Sequence, residues 1–179
     1  MAVSAQSAAG AKIYIGPVTA AATVSAYAAL SYTEIGGVES ISEFGDAAGQ
    51  ITFTGLSDNR VQKLKGAYDA GDITVVAAWG PRDAGQVAAR AAAAAKFGYA
   101  IKVVFEDSPD SNDTDSTFYF HAKVMSAKKS GGAANDVLKE TYTLAIDTAI
   151  YARLSLRDRA TNQPLTSRAT GQYLTSRSA

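Results

Sequence analysis

Cysteine is absent from all 179 residues, which removes disulfides, thiolate metal sites and cysteine nucleophiles from what this chain can do. Histidine occurs once. His121 has no second imidazole for a zinc site and no serine elbow for a triad, so it reads as a structural or surface residue. An excess of either charge is missing too: 17 basic residues balance 17 acidic ones, and no overall field argues for wrapping nucleic acid or adhering to an anionic membrane. Any partner has to be recognised locally. Long hydrophobic runs are also lacking, since no stretch approaches the ~18 apolar residues of a membrane span. The alanine-rich first thirty residues reach their first basic residue only at Lys12, so no targeting segment is expected and the chain reads as soluble and cytoplasmic.

Little else carries chemistry. Asp107, Asp110, Asp113 and Asp115 form an acidic connector, but the twelfth position from Asp110 is His121 and the sixth is not glycine, so a solvated loop is expected rather than a calcium site. Gly131-Gly132 follows lysines without the spacing of a phosphate loop. No catalytic residue, metal or cofactor is expected, and an enzyme is a distant reading.

What is present is period-two alternation. Lys12–Ile15, Leu30–Ile41 with a bulge or kink at Gly36-Gly37, Asp72–Trp79, Tyr99–Glu106, Ser116–Ala127 and Val137–Asp147 all read as strands. Helical periodicity appears once, at about residues 82–97, with Pro81 or Arg82 in its first turn and Gly98 beyond its end. Many short strands with one flanking helix predict a mainly β fold, an antiparallel sandwich or barrel at residues 11–150. Residues 1–10 read as a flexible arm. Residues 151–179 hold Arg153, Arg157, Arg159, Arg168 and Arg177 against Asp158, a net +4 that leaves −4 on residues 1–150, and they read as a basic C-terminal arm.

The segment from Gly37 to Asp58 alternates, passes a glycine-flanked turn and alternates again. Val38, Ile41, Phe44, Ile51 and Phe53 are apolar enough for a core, yet Asp46–Gln50 between them reads as soft and exposed. Phe44, Phe53, Leu56, Val61, Leu64 and Tyr68 are apolar residues that need cover, from the subunit itself or from a neighbour.

In order along the chain, Ile35-Gly-Gly-Val-Glu-Ser-Ile-Ser-Glu-Phe-Gly45, Thr54-Gly-Leu-Ser-Asp58 and Arg60-Val-Gln-Lys-Leu-Lys-Gly66 are followed by Tyr68-Asp-Ala-Gly-Asp-Ile-Thr-Val75 and Asp83-Ala-Gly-Gln86. This ordered set resembles the major tail protein, or tail tube protein, of long noncontractile-tailed bacteriophages and gene transfer agents, over roughly residues 11 to 148. The resemblance implies a noncatalytic virion protein, assembled in the host cytoplasm, whose usually hexameric rings stack into the tube through which DNA is ejected. It implies that the long excursion at about Ser42–Tyr68 touches the adjacent ring, which makes Phe44, Leu56, Asp58, Arg60, Lys63, Lys65 and Tyr68 candidate inter-ring residues. The arginines at 153, 157, 159, 168 and 177 are candidate arm contacts. Implied partners are further copies of the chain, a tape-measure protein, a tail terminator and tail tip proteins, with DNA passing unbound and no membrane. Two alternatives stay open: a terminator or completion ring, and a monomeric β-sandwich adhesion or ligand-binding module.

Overall fold

A computed structural model describes residues 7–56, 59–108 and 114–154. Ten strands and two helices follow in order: β1 (Lys12–Ile15), α1 (Val24–Ala28), β2 (Thr33–Glu34), β3 (Val38–Ile41), β4 (Ala47–Phe53), β5 (Gln62–Asp69), β6 (Asp72–Ala78), α2 (Ala84–Ala94), β7 (Tyr99–Phe105), β8 (Ser116–Ser130), β9 (Lys139–Ile146) and β10 (Tyr151–Arg153). Seven strands lie in the order β2-β1-β7-β8-β9-β6-β3, every pair antiparallel, with β10 as an eighth paired to β8.

Strand β8 joins the two halves of this sheet. Its first half pairs β7 and its second half pairs β9, with a register shift between Val124 and Ser126. Buried residues alternate along β6 (Ile73, Val75, Ala77) and β9 (Glu140, Tyr142, Leu144, Ile146), as one covered sheet face requires. The apolar ones among them form a single core with Ile13, Ile15, Ile101, Val103, Phe120 and the α2 residues Ala89 and Ala92. Helix α2, 11 residues or about 16 Å long, packs through Ala89 and Ala92 on the covered face of this sheet. This is the expected antiparallel shell with a flanking helix.

Helix α2 is shorter than the predicted 82–97. Asp83 caps it, its carboxylate accepting the Gln86 N–H at 2.8 Å, and the chain turns extended at Ala95. Alanine propensity alone would have carried it further. Buried Gln86 then ties the helix to the sheet: its side-chain amide donates to the Gly36 and Ala78 carbonyls and accepts the Gly80 N–H, each at 2.8 Å. Gly85 lies against the Glu34 carbonyl and the Ile35 Cα, where a Cβ has no room. Gly85→Ala should therefore destabilise by about 1–3 kcal/mol through overpacking, read as a lower urea midpoint with an unchanged slope; an unaltered midpoint would mean the helix does not sit this close.

Three other differences from the sequence reading matter. A second helix, α1, is capped by Thr23 and buries Tyr27 against Ala100 and Tyr119 on the opposite sheet face. The single predicted strand Leu30–Ile41 is two strands at opposite ends of the sheet order, and the chain crosses between them through Gly36 and Gly37, the latter at φ +70°. Residues 151–153 belong to the body, because β10 pairs with Thr117–Tyr119 of β8.

A candidate assembly surface

Between β3 and β6 the chain builds its only separate sheet among the described residues, the antiparallel hairpin β4–β5. Gln50, Ile51, Thr52 and Phe53 face Lys65, Leu64, Lys63 and Gln62 in turn, and a register shift separates this ladder from the Ala47–Asp69 and Ala48–Tyr68 pairs. The long excursion is thus a two-stranded ribbon, and Ala47–Gln50, expected to be soft, lie within its first strand.

Side-chain alternation sorts the ribbon into two faces. Ile51, Phe53 and Leu64 share one of them, and Lys63 and Lys65 share the other with Thr52 and Gln50. Neither face is covered: Ile51 is 53% exposed, Phe53 57% and Leu64 58%. Leu56, Val61 and Tyr68 are also exposed, and the Lys65 ammonium lies 5.8 Å from the Tyr68 ring centroid. A lone two-stranded hairpin is at best marginally stable in water, and this one leaves its apolar side chains uncovered within the subunit.

The candidate residues divide accordingly. Leu56, Arg60, Lys63, Lys65 and Tyr68 are exposed on the excursion, while Asp58 lies outside the described residues. Phe44 does not belong with them. It packs in the subunit's own core, edge-on to Phe118 at 5.6 Å between centroids and stacked with Phe105 at 6.3 Å. Ile51 and Phe53, read like Phe44 as apolar enough for a core, are exposed on the ribbon instead. Of the arm residues, Arg153 sits in β10 opposite Thr117, and Arg157, Arg159, Arg168 and Arg177 lie outside the described residues.

Polar clusters elsewhere are bonded into the fold. Arg90 of α2 donates to Glu140 Oε2 at 2.6 Å, the Tyr142 hydroxyl donates to the same oxygen at 2.6 Å, and the Lys129 ammonium stands 3.7 Å from Oε1. Burial, and then the bond to Glu140, push the Tyr142 phenol well above its usual pKa. His121 Nδ1 lies 2.7 Å from Asp147 Oδ1 and its backbone N–H donates to Thr148 Oγ1, so the pair pins the β9–β10 turn to β8. Asp107 and Asp115 accept the Ser116 and Ser108 N–H groups at the neck of the acidic connector, whose Asp110 and Asp113 lie outside the described residues. Among the described residues, no three His, Asp or Glu side chains are grouped to hold a metal ion.

No family model and no curated protein sequence matches the chain. Solved structures do. The SPP1 tail tube aligns with a TM-score of 0.57 at 15% identity, over 92% of this chain and 88% of that one. A chain of the sheath/tube terminator of the extracellular contractile injection system PVC aligns at 0.60 and 15% identity, over 84% and 99%. A chain of the anti-feeding prophage baseplate aligns at 0.61 and 11% identity, over 87% and 99%. The antiparallel sheet with its packed helix therefore has the fold seen in the SPP1 tail tube and in chains of the PVC sheath/tube terminator and the anti-feeding prophage baseplate.

Proposed function

We propose that this chain is a noncatalytic building block of a tail tube, which closes into rings, usually of six copies, that stack around a conduit for DNA. The observation that carries this reading is the β4–β5 ribbon, a separate sheet with an uncovered apolar face on a tail-tube fold. Ring closure gives the edge strands β2 and β3 neighbours to pair with, the usual means by which open sheets avoid indiscriminate aggregation. A −4 balance on residues 1–150 suits a conduit, because a strongly basic wall would hold the passing phosphates. The place of action is the virion tail, after assembly in the host cytoplasm, with a tape-measure protein, a terminator and tip proteins as partners.

Sedimentation and negative-stain microscopy across a concentration series test this. Rings of 18.5-kDa chains that lengthen into tubes are expected. Monomers at every concentration would overturn it, and rings that never stack would favour the terminator reading, which the likeness to a sheath/tube terminator supports.

The arginines at 157, 159, 168 and 177 are assigned in this proposal to an arm that docks on the acidic body of an adjoining subunit. Truncation after Leu154 keeps β10 and should leave melting unchanged while tubes become shorter and dissolve at lower salt, since exposed charge pairs are screened within about 10 Å at 0.1 M. Tubes of normal length and salt tolerance would remove the arm from assembly.

A further inference from the structure

From the subunit alone, without the proposed stacking, we infer that residues 18–32 form a strap that latches strand β10 onto the body, so that the strap and β10 open together as one unit. The strap is tied down only at its ends. Before it, the Ala100 N–H donates to the Pro17 carbonyl at 3.0 Å, and after it β2 pairs with β1. Between these points the hydrogen bonds of residues 18–32 stay within the segment 17–32: Thr19 N–H to the Pro17 carbonyl, the cap and turn of α1, and the Tyr32 hydroxyl to the Tyr27 carbonyl at 3.0 Å. Side chains alone hold the strap on the sheet.

Those side chains centre on Tyr27. Its ring stacks on Tyr119 of β8 at 5.9 Å between centroids and tilts against Tyr151 of β10 at 5.6 Å. β10 depends on that cover, for it is three residues long, pairs along one edge with Thr117–Tyr119, and is reached by no salt bridge among the described residues. The strap is no stronger. A five-residue helix is far below the length that holds its own shape in water, and the fully buried Tyr27 hydroxyl has no hydrogen-bond partner among the described residues, a standing cost on the closed state. Two weak elements that share one ring open together, below the cost of global unfolding. Opening stops at Thr148, whose Oγ1 accepts the His121 N–H, so the β8–β9 pairing survives. What opening uncovers is the β8 edge at Thr117–Tyr119, an unpaired strand edge that the closed latch keeps out of reach.

Hydrogen exchange of the dilute full chain, read by mass spectrometry on its peptides, tests the latch. Peptides over α1 and over β10 should share one level of protection, well below that of β6 and β9. Tyr27→Ala should speed exchange in β10 by at least about tenfold, and Tyr151→Ala should do the same in α1, because coupling between two elements is reciprocal. Neither should change β6. Tyr27→Phe keeps the ring and drops the unpaired hydroxyl, so it should slow both peptides about fivefold. A Tyr27→Ala chain with faster α1 and unchanged β10 would overturn the latch, as would an equal rise in β6, which would make Tyr27 part of the global core. Should Tyr27→Ala not fold, Tyr27→Phe decides alone: β10 exchanging as fast as in the parent, or faster, would overturn it. A chain that stays monomeric leaves every one of these readouts intact, so the latch and the tube reading fail separately.

Discussion

Replacing Ile51, Phe53 and Leu64 together with serine should leave the subunit folded and abolish tube growth. All three are more than half exposed and lie outside the core, so the subunit's melting should move little, as surface substitutions usually do. Their burial against a neighbour is a different matter. Covering the exposed halves of three large apolar side chains is worth about 3–4 kcal/mol together, or two to three orders of magnitude in the concentration needed for growth at ~1.4 kcal/mol per decade. Thermal melting of the dilute subunit and pelleting of tubes separate the two effects. A variant that melts early would return these residues to the subunit's own core, and one that pellets like the parent would remove the ribbon from the interface.

The second large effect concerns the subunit alone. Glu140 is fully buried on the inward face of β9, and Arg90 is its closest cation. Arg90→Leu takes away the closest partner of that carboxylate, leaving the Tyr142 hydroxyl and the Lys129 ammonium at 3.7 Å, and should cost about 3 kcal/mol, the low end for breaking a buried pair. For a chain of this size that is a fall in melting temperature on the order of 10 °C. Arg90→Leu with Glu140→Leu removes both charges and should recover most of the loss, because a buried pair replaced by apolar residues is often neutral. Calorimetry decides it: a double variant no more stable than Arg90→Leu would show that the ion pair contributes by itself and that desolvation does not offset it.

Strands with one covered face were legible because alternation reports burial directly. β6, β7, β8 and β9 all stand close to where Ile73–Val75, Ile101–Val103, Phe118–Val124 and Tyr142–Ile146 placed them. Alternation does not say which molecule supplies the cover. Phe44, Ile51 and Phe53 therefore looked equally fit for a core, and only Phe44, which lies beyond the end of β3 and packs by aromatic contacts, reaches it. Helix α1 is five residues long, too short to show a 3.6-residue period, and a serine or threonine cap in an alanine-rich stretch was its one sequence signal. β10, at three residues, shows no alternation, so Arg153 was grouped with the basic residues that follow it. Gln86 carried no mark of its role, since its partners Gly36 and Ala78 are 50 and 8 residues away along the chain.

A reconstruction of the assembled tube by electron cryomicroscopy, at a resolution that traces strands, tests the central claim most directly. The account predicts stacked rings in which each β4–β5 ribbon leaves its own body and lies against the next ring, with Ile51, Phe53 and Leu64 covered. Stacked rings held together by other elements, with the ribbon free in solvent or folded onto its own subunit, would contradict it.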